Sequence, residues 1–413
     1  MVKNKPYKPL FLGLSHLGQV FSVSWAKKIG KCLVYDFDNK QLENFKKKKY
    51  TIEEPSLNLI KTKNIEFLNY DEDIKKSNLI FFTYDTPISE KNGDPNLSLI
   101  EKNLKKLLSI KFNKKTFIFV LSQVYPGFMD NIVKKYKHNK KVKLYYMVDT
   151  LRMGTAIDNF LNPEQLVFGS EGRENKIVKL LFKKFKCQKY IYSYKEAELI
   201  KISLNIYLFF SVSFANVIDQ LGIDNDIRFS KVIENLRNDN RIGKYSYVNP
   251  SIGISGGHLE RDIQYFKKIN KNYISKNILT SMLKFNDYRK KIINREILKK
   301  VKKKIKKILI IGNSYKENSY STVNSPFKFL LDKSKYKIHA FDDCFKLKEK
   351  KNIKVVNTTN NLGIFDVVIY NYSKPKNKIK VMNYFSKKRK NYLFNISLNP
   401  KNNFNGPNVI NFF

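Results

Sequence analysis

Cysteine is nearly absent from this chain: Cys32, Cys187 and Cys344 are the only three in 413 residues. They have neither metal-ligand spacing nor a paired framework. That excludes a disulfide scaffold and a zinc module, so a reducing, cytoplasmic setting and no metal are expected. Acidic residues are also scarce, 36 against 79 Lys and Arg, for a net charge of +43. The excess is spread along the whole chain with Asn, Ile, Phe and Tyr, which marks a compositional drift rather than a nucleic-acid groove. Its densest run, KKVKKKIKK at 299–307, precedes an apolar strand and reads as a solvated helix end or linker. No specific nucleic-acid partner is expected, although a basic surface favours a phosphorylated substrate. Long apolar runs are missing too. YLFFSVSFANVI at 207–218 falls short of a membrane span, so no membrane partner is expected. The basic-then-apolar start imitates a signal peptide, but Gly13, Gly18 and Asp36 fit a different pattern.

Hydrophobic residues make up 42% of the chain, enough for real cores, and the length predicts two or three domains. PLFLG (9–13), CLVYD (32–36), NLIFFT (78–83), TFIFVLS (116–122), LYYMV (144–148) and QLVFG (165–169) read as strands. Their continuous apolar character predicts a mostly parallel sheet buried on both faces. Helical patterns between them predict a doubly wound α/β domain over 1–195. A helical middle follows over 196–300, with a long helix at 197–222 closed by Gly222. The α/β pattern then returns over 301–413, at 307–314, 336–341, 353–356, 366–371 and 392–396. The two α/β parts share a layout without an alignable repeat.

GLSHLG (13–18) lies between strand and helix, where backbone N–H groups and a helix N-terminus can face a pyrophosphate. The middle glycine of the dinucleotide fingerprint is Ser15. Asp36, at the end of the next strand, is placed to bind ribose hydroxyls and favours NAD over NADP. Alone, this pattern is also compatible with a strand–turn–helix that binds nothing.

Longer segments occur in one order: DFDNKQLENFKKKKYTIEEPSL, TPISEKNGDPNLS, LRMGTAIDNFLNPEQLVFG, AELIKISLN, DNRIGKYSYVNPSIGISGGHLERD and GNSYKENSYSTVNSP. From about 9 to 345 the chain resembles the UDP-glucose/GDP-mannose dehydrogenase family, the nucleotide-sugar 6-dehydrogenases. The resemblance implies an N-terminal Rossmann domain binding NAD, a central helical dimerisation region and a C-terminal Rossmann-like domain helping to bind the nucleotide-sugar. It implies cofactor contacts from Gly13, Ser15, His16, Leu17, Gly18, Asp36, Thr86 and Gln123. It implies substrate contacts from Asp149, Leu151, Arg152, Arg241, Tyr247, Asn249, Gly253, Gly256 and Lys316, with Arg241 reaching across a homodimer. Lys201 and Asn205, four apart on one helix face, match the pair that meets the reacting oxygen.

The chain departs from the family where the chemistry is. Family members oxidise a C6 alcohol to a carboxylate in two hydride transfers, through a cysteine-bound thiohemiacetal and thioester. That cysteine is His258 here, and the Pro-Lys-Asp turn after it reads Glu260-Arg261-Asp262. In VDTLRMG (148–154) the family's two carboxylates become Asp149 and Met153, and methionine cannot take a proton from water. Gln123 replaces a threonine, and Val323 replaces an arginine used on the sugar nucleotide. One reading makes His258 the base of a single two-electron oxidation, oriented by Asp262 from one helix face. A second keeps the four-electron reaction by a cysteine-independent route to a uronic acid. A third is a catalytically inactive nucleotide-binding homologue, and a fourth is a charge-driven nucleic-acid binder, which needs aromatic platforms on a basic face.

Overall fold

The computed structural model describes residues 7–50, 62–87, 95–172, 176–227, 229–256, 258–293, 298–301, 304–313, 336–343, 353–387, 389–397 and 403–412, with Glu54, Leu57, Arg295, Ser325, Phe327 and Leu347 between them. Cys344, Lys316 and Val323 lie outside the described residues. The chain divides into two compact units, 1–204 and 205–413.

The first unit is built on eight strands: β1 (Leu10–Leu12), β2 (Cys32–Tyr35), β3 (Ile65–Phe67), β4 (Leu79–Phe82), β5 (Thr116–Val120), β6 (Val142–Met147), β7 (Gln165–Gly169) and β8 (Gln188–Tyr192). Their order is β3-β2-β1-β4-β5-β6-β7-β8, parallel throughout except for the β6–β7 pair. Helices α1 (His16–Lys28), α2 (Asn39–Lys46), α3 (Ser98–Leu108), α4 (Phe128–Lys135), α5 (Ala156–Leu161) and α6 (Lys176–Leu181) connect them. The strand order reverses between β1 and β4, the position where open α/β sheets bind ligands beyond the carboxyl ends of their strands. The run that imitated a signal peptide is β1 plus α1, and both are core.

Aromatic residues take over the usual β-branched core here. Phe11, Phe81, Phe119 and Tyr145 are register partners on successive strands. Their rings stack at 5.1, 5.2 and 4.7 Å. Each such pair contributes about 0.5–1.5 kcal/mol beyond its buried area, so the ladder ties the four central strands together. β3 and β8 escaped the sequence reading because they are edge strands: β3 buries only Ile65 fully, and β8 alternates exposed and half-buried positions.

The second unit has a helical part and a second sheet. Helix α7 (Tyr194–Asp224) starts in the first unit and is 31 residues long, running past Gly222 rather than ending there. It is followed by α8 (Phe229–Asn238), α9 (His258–Ile269) and α10 (Tyr273–Lys290). By length and composition alone, α7 is the one helix among the described residues able to cross a membrane. That corrects the expectation drawn from 207–218, because the helix continues through polar residues that ended the apolar run. Glu198, Asn216 and Asp219 along this helix are buried in protein contacts. The sheet comprises β9 (Lys307–Ile311), β10 (Lys337–Phe341), β11 (Ile353–Val355), β12 (Val367–Tyr370), β13 (Tyr392–Asn395) and β14 (Val409–Asn411), ordered β11-β10-β9-β12-β13-β14 and parallel. Helix α11 (Pro375–Phe385) starts with proline, whose missing N–H costs nothing at a first turn.

The two sheets share a lock that no sequence alignment revealed. After β1, Gly13 takes φ +104°, Leu14 N–H donates to Asp36 at 2.6 Å, and the Tyr84 hydroxyl donates to the same carboxylate at 3.1 Å. After β9, Gly312 takes φ +80°, Asn313 N–H donates to Asp342 at 2.8 Å, and the Tyr372 hydroxyl donates there at 2.8 Å. A Cβ on either glycine would collide with that tyrosine, at 2.7 Å from the Tyr84 ring and 2.5 Å from the Tyr372 carbonyl oxygen. Glycine, Asp and Tyr from three neighbouring strands are too far apart in sequence to read as a repeat.

Candidate active site

Of the residues expected to contact the cofactor, Gly13, Ser15, His16, Leu17, Gly18 and Asp36 lie at the β1–α1 turn of the first unit. A Cβ on Gly18 would lie 1.8 Å from the Gly13 carbonyl oxygen, so only glycine lets α1 begin this close to the turn. Ser15, the residue before α1, does not cap it with its side chain. Its hydroxyl donates to the Thr83 carbonyl at 2.8 Å and accepts from Asp85 N–H at 3.1 Å. The turn and helix N-terminus therefore fit a dinucleotide pyrophosphate. Asp36 stands at the expected strand end, but it is 2% exposed and also accepts from Asp38 N–H at 2.9 Å. Burial pushes its carboxyl above the ordinary range against these three donors. The Tyr84 hydroxyl and Asp38 N–H therefore already share Oδ1, a constraint the sequence did not signal. Thr86 and Gln123 meet directly, hydroxyl to carbonyl, at 2.6 Å.

His16 sits among carboxylates. Its Nε2 is 3.0 Å from Glu54, which also receives Gly154 N–H at 3.0 Å on each oxygen. Burial opposes the imidazolium, but the Glu54 hydrogen bond and the charges of Asp85, Glu54 and Asp149 prevail and hold His16 above its ordinary value. Burial also pushes Asp85 upward, His16 opposing. His16, expected among the cofactor contacts, is thus held by Glu54 beside the β1–α1 turn.

Beyond β6, the Lys201 ammonium donates to the Asp149 carbonyl oxygen and lies 3.7 Å from Oδ2 of that carboxylate. Asp149 accepts from Leu151 N–H at 2.9 Å, so the loop curls around its own acid. Arg152 is exposed and pairs with Glu164 at 2.8 Å. Met153 stands at its expected place before Gly154.

In the second unit the glycine loop before α9 is fixed from two helices. Asn216 of α7 accepts from Ser251 N–H at 2.6 Å. Asn286 of α10 accepts from Ile254 N–H at 2.7 Å and donates to its carbonyl at 3.2 Å. Gly253 and Gly256 take φ +113° and +83°, and a Cβ on Gly253 would meet Lys290 at 2.4 Å. His258 then opens α9 and is exposed. Asp262, one turn on and 3% exposed, accepts from Arg261 Nε at 2.8 Å and from the Asn205 amide. The carboxylate expected to orient His258 holds the Asn205 amide. Lys290 and Asn286 engage Glu260. Arg241 is exposed and bidentate to Asp239 at 2.6 and 3.0 Å. Tyr247 is half exposed, and Asn249 accepts from Arg237 at 2.8 Å.

Residues 8–186 match the UDP-glucose/GDP-mannose dehydrogenase family, NAD binding domain, and residues 195–288 match the central domain of the same family. The chain is similar to UDP-glucose 6-dehydrogenase of Campylobacter jejuni, 27% identical over 381 residues that cover 88% of this chain and 94% of that protein. It is equally similar, at 27% over 80% of each chain, to UDP-glucose 6-dehydrogenase of Rickettsia bellii. Among solved structures, a UDP-glucose dehydrogenase from Pyrobaculum islandicum superposes with a TM-score of 0.80 at 20% identity, covering 96% of this chain and 95% of that one. At that identity the superposition speaks for the fold.

Proposed function

The chain belongs to the UDP-glucose/GDP-mannose dehydrogenase family, an NAD-dependent oxidoreductase acting on CH–OH donors, and from that premise we propose that it removes one hydride from a carbinol of a UDP-sugar and stops at the carbonyl product. The observation that carries this reading is His258 at the start of α9, the position for which the resemblance implies a cysteine. An imidazole cannot form the thioester that the second hydride transfer needs, and Met153 supplies no base for its hydrolysis. The balance is that of a secondary or primary alcohol and NAD⁺ giving a carbonyl, NADH and one proton. When bound, NAD accepts the hydride.

The chain's own residues handle the rest. Lys201, held by Asp149, and Asn205, held by Asp262, carry the reacting oxygen. The Asn205 N–H that points at Asp262 sets the amide orientation and leaves the second N–H to donate to the reacting oxygen. His258 takes the alcohol proton. The pyrophosphate turn with His16 seats the cofactor, and Arg241, Tyr247, Asn249, Leu151, Arg152 and Lys316 contact the nucleotide-sugar. In a panel of UDP-, GDP- and CDP-sugars, one NADH should form per product, with product mass lower by two hydrogens. Two NADH and an acid product would defeat the one-step reading in favour of a four-electron enzyme. Tight NAD binding without turnover of any sugar would point to an inactive homologue.

We also propose that the protein is a cytoplasmic homodimer whose central region, 196–300, forms the interface. Tyr207, Phe214, Val217 and Leu221 of α7 are 62, 46, 48 and 56% exposed and recur at helical spacing on one stripe. A second copy burying this stripe removes a large apolar patch from water. Phe214→Glu should turn a dimer into a monomer by light scattering. A dimer of unchanged Kd would refute this placement.

A further inference from the structure

We propose that Glu198 is a positioning residue of the cofactor site, whose carboxylate clamps the 122–127 loop and the start of α4 to α7 only while it is ionised. This rests on the reading that the loop, through Gln123, serves NAD. Glu198 is fully buried, at 0% exposure. Its Oε2 accepts from Gly127 N–H at 2.6 Å and its Oε1 from Met129 N–H at 2.8 Å. Both donors belong to the beginning of α4, where Gly127 occupies the capping position without a side chain. The carboxylate thus supplies from α7 the cap and the counter-charge that a local Ser or Asp would give.

Two converging donors require two acceptor oxygens. A protonated carboxyl has only one oxygen without hydrogen, and its O–H would face an N–H. Burial pushes the Glu198 carboxyl up to about 7, with the Met129 and Gly127 bonds opposing, Asp130 adding to the rise and Lys195 reducing it. The charged groups around it are Asp130 from α4 and Lys195 from α7, themselves 3.3 Å apart, with the Tyr194 phenol of α7 bonded to the Leu144 carbonyl. The clamp is therefore complete above neutrality and weakened below it.

The clamped loop is tied to the segment after β4 by two bonds. The Gln123 carbonyl holds Thr86, and the Ser122 hydroxyl donates to the Tyr84 carbonyl at 2.6 Å. One helical turn beyond Glu198, Lys201 holds the 148–154 loop through Asp149. α7 therefore pins the loops after both β5 and β6.

The test is NAD titration by calorimetry from pH 5.5 to 8.5 on the full-length protein, with hydrogen exchange of peptides covering 122–135. Wild type should lose about tenfold in NAD affinity as pH falls through about 7, the scale of one charge-assisted hydrogen bond. Glu198→Gln should bind NAD at the weak level at every pH and exchange faster at 127–131. Two exposed substitutions move the midpoint while keeping Glu198: Lys195→Met should raise it and Asp130→Asn should lower it. These keep the idea testable if Glu198→Gln does not fold. A wild-type pH profile in Glu198→Gln, or midpoints that ignore Lys195 and Asp130, overturns the proposal. Faster exchange at 127–131 with unchanged NAD affinity overturns it as well, while leaving the cofactor reading intact. Wild-type protein that binds no NAD at any pH defeats that reading and the proposal together.

Discussion

Replacing His258 with alanine should lower kcat by about 10²–10⁴, the range that one positioned acid–base group contributes, while leaving the Kd for NAD within about twofold, an ordinary surface effect. The two outcomes separate because His258 is proposed to take the alcohol proton, whereas the β1–α1 turn is proposed to seat NAD. The residue is exposed, so its loss leaves no cavity and should not unfold the protein. Its proton chemistry has no local substitute in the helix start: Glu260 is engaged by Lys290 and Asn286, and Asp262 by Arg261 and Asn205. Asp262→Asn should disturb the Asn205 amide, raising KM with a smaller fall in kcat. Steady-state kinetics with the best sugar of the panel decide this. Turnover by His258→Ala at the wild-type rate would remove the residue from the mechanism.

The strands that bury both faces were legible because continuous apolar runs have no other home in a doubly wound fold. PLFLG, TFIFVLS and DVVIYN all became central strands. Edge strands such as Ile65–Phe67 were not, because half their residues face solvent and carry no run. The site was legible where motif and local geometry coincide, as at Gly13, Gly18 and Asp36. It was not legible where a side chain arrives from far along the chain. Tyr84 reaches Asp36 across 48 positions and Glu198 reaches Gly127 across 71, and neither distance leaves a spacing to read. The same limit hid a contact of Asp262. Helical periodicity offered His258 as its partner, and nothing in the spacing announced that α9 packed against α7 would bring it Asn205. Lys316 and Val323 belong to the resemblance alone, since they lie outside the described residues.

The stability of the second unit should depend most on Arg289. It is fully buried on α10, with the guanidinium on Asp219 and Gln220 of α7 and its Nε donating to the Ser251 carbonyl at 2.8 Å. Arg289→Met strands a buried carboxylate and should cost about 3–5 kcal/mol, the price of breaking one side of a buried pair. The sign of its pH dependence follows from Asp219, whose carboxyl burial already pushes above the ordinary range despite Arg289. A group raised in the folded state gives stability that is present below its unfolded value and lost as pH rises through the folded one. Without Arg289 the carboxyl is raised further, so the deficit should be small near pH 4 and largest near pH 8. Urea unfolding at both values measures it. Adding Asp219→Leu to Arg289→Met should recover most of the loss, because two apolar groups leave nothing unpaired. An equal deficit at the two pH values, or no recovery in the double variant, would contradict this account. Because Ser251 begins the glycine loop that leads to His258, the single variant should also lower kcat where it remains folded. The double variant should stay slow even when stable, since neither methionine nor leucine can donate to the Ser251 carbonyl. A buried ion pair would then be holding the loop in place for catalysis at little net gain in stability.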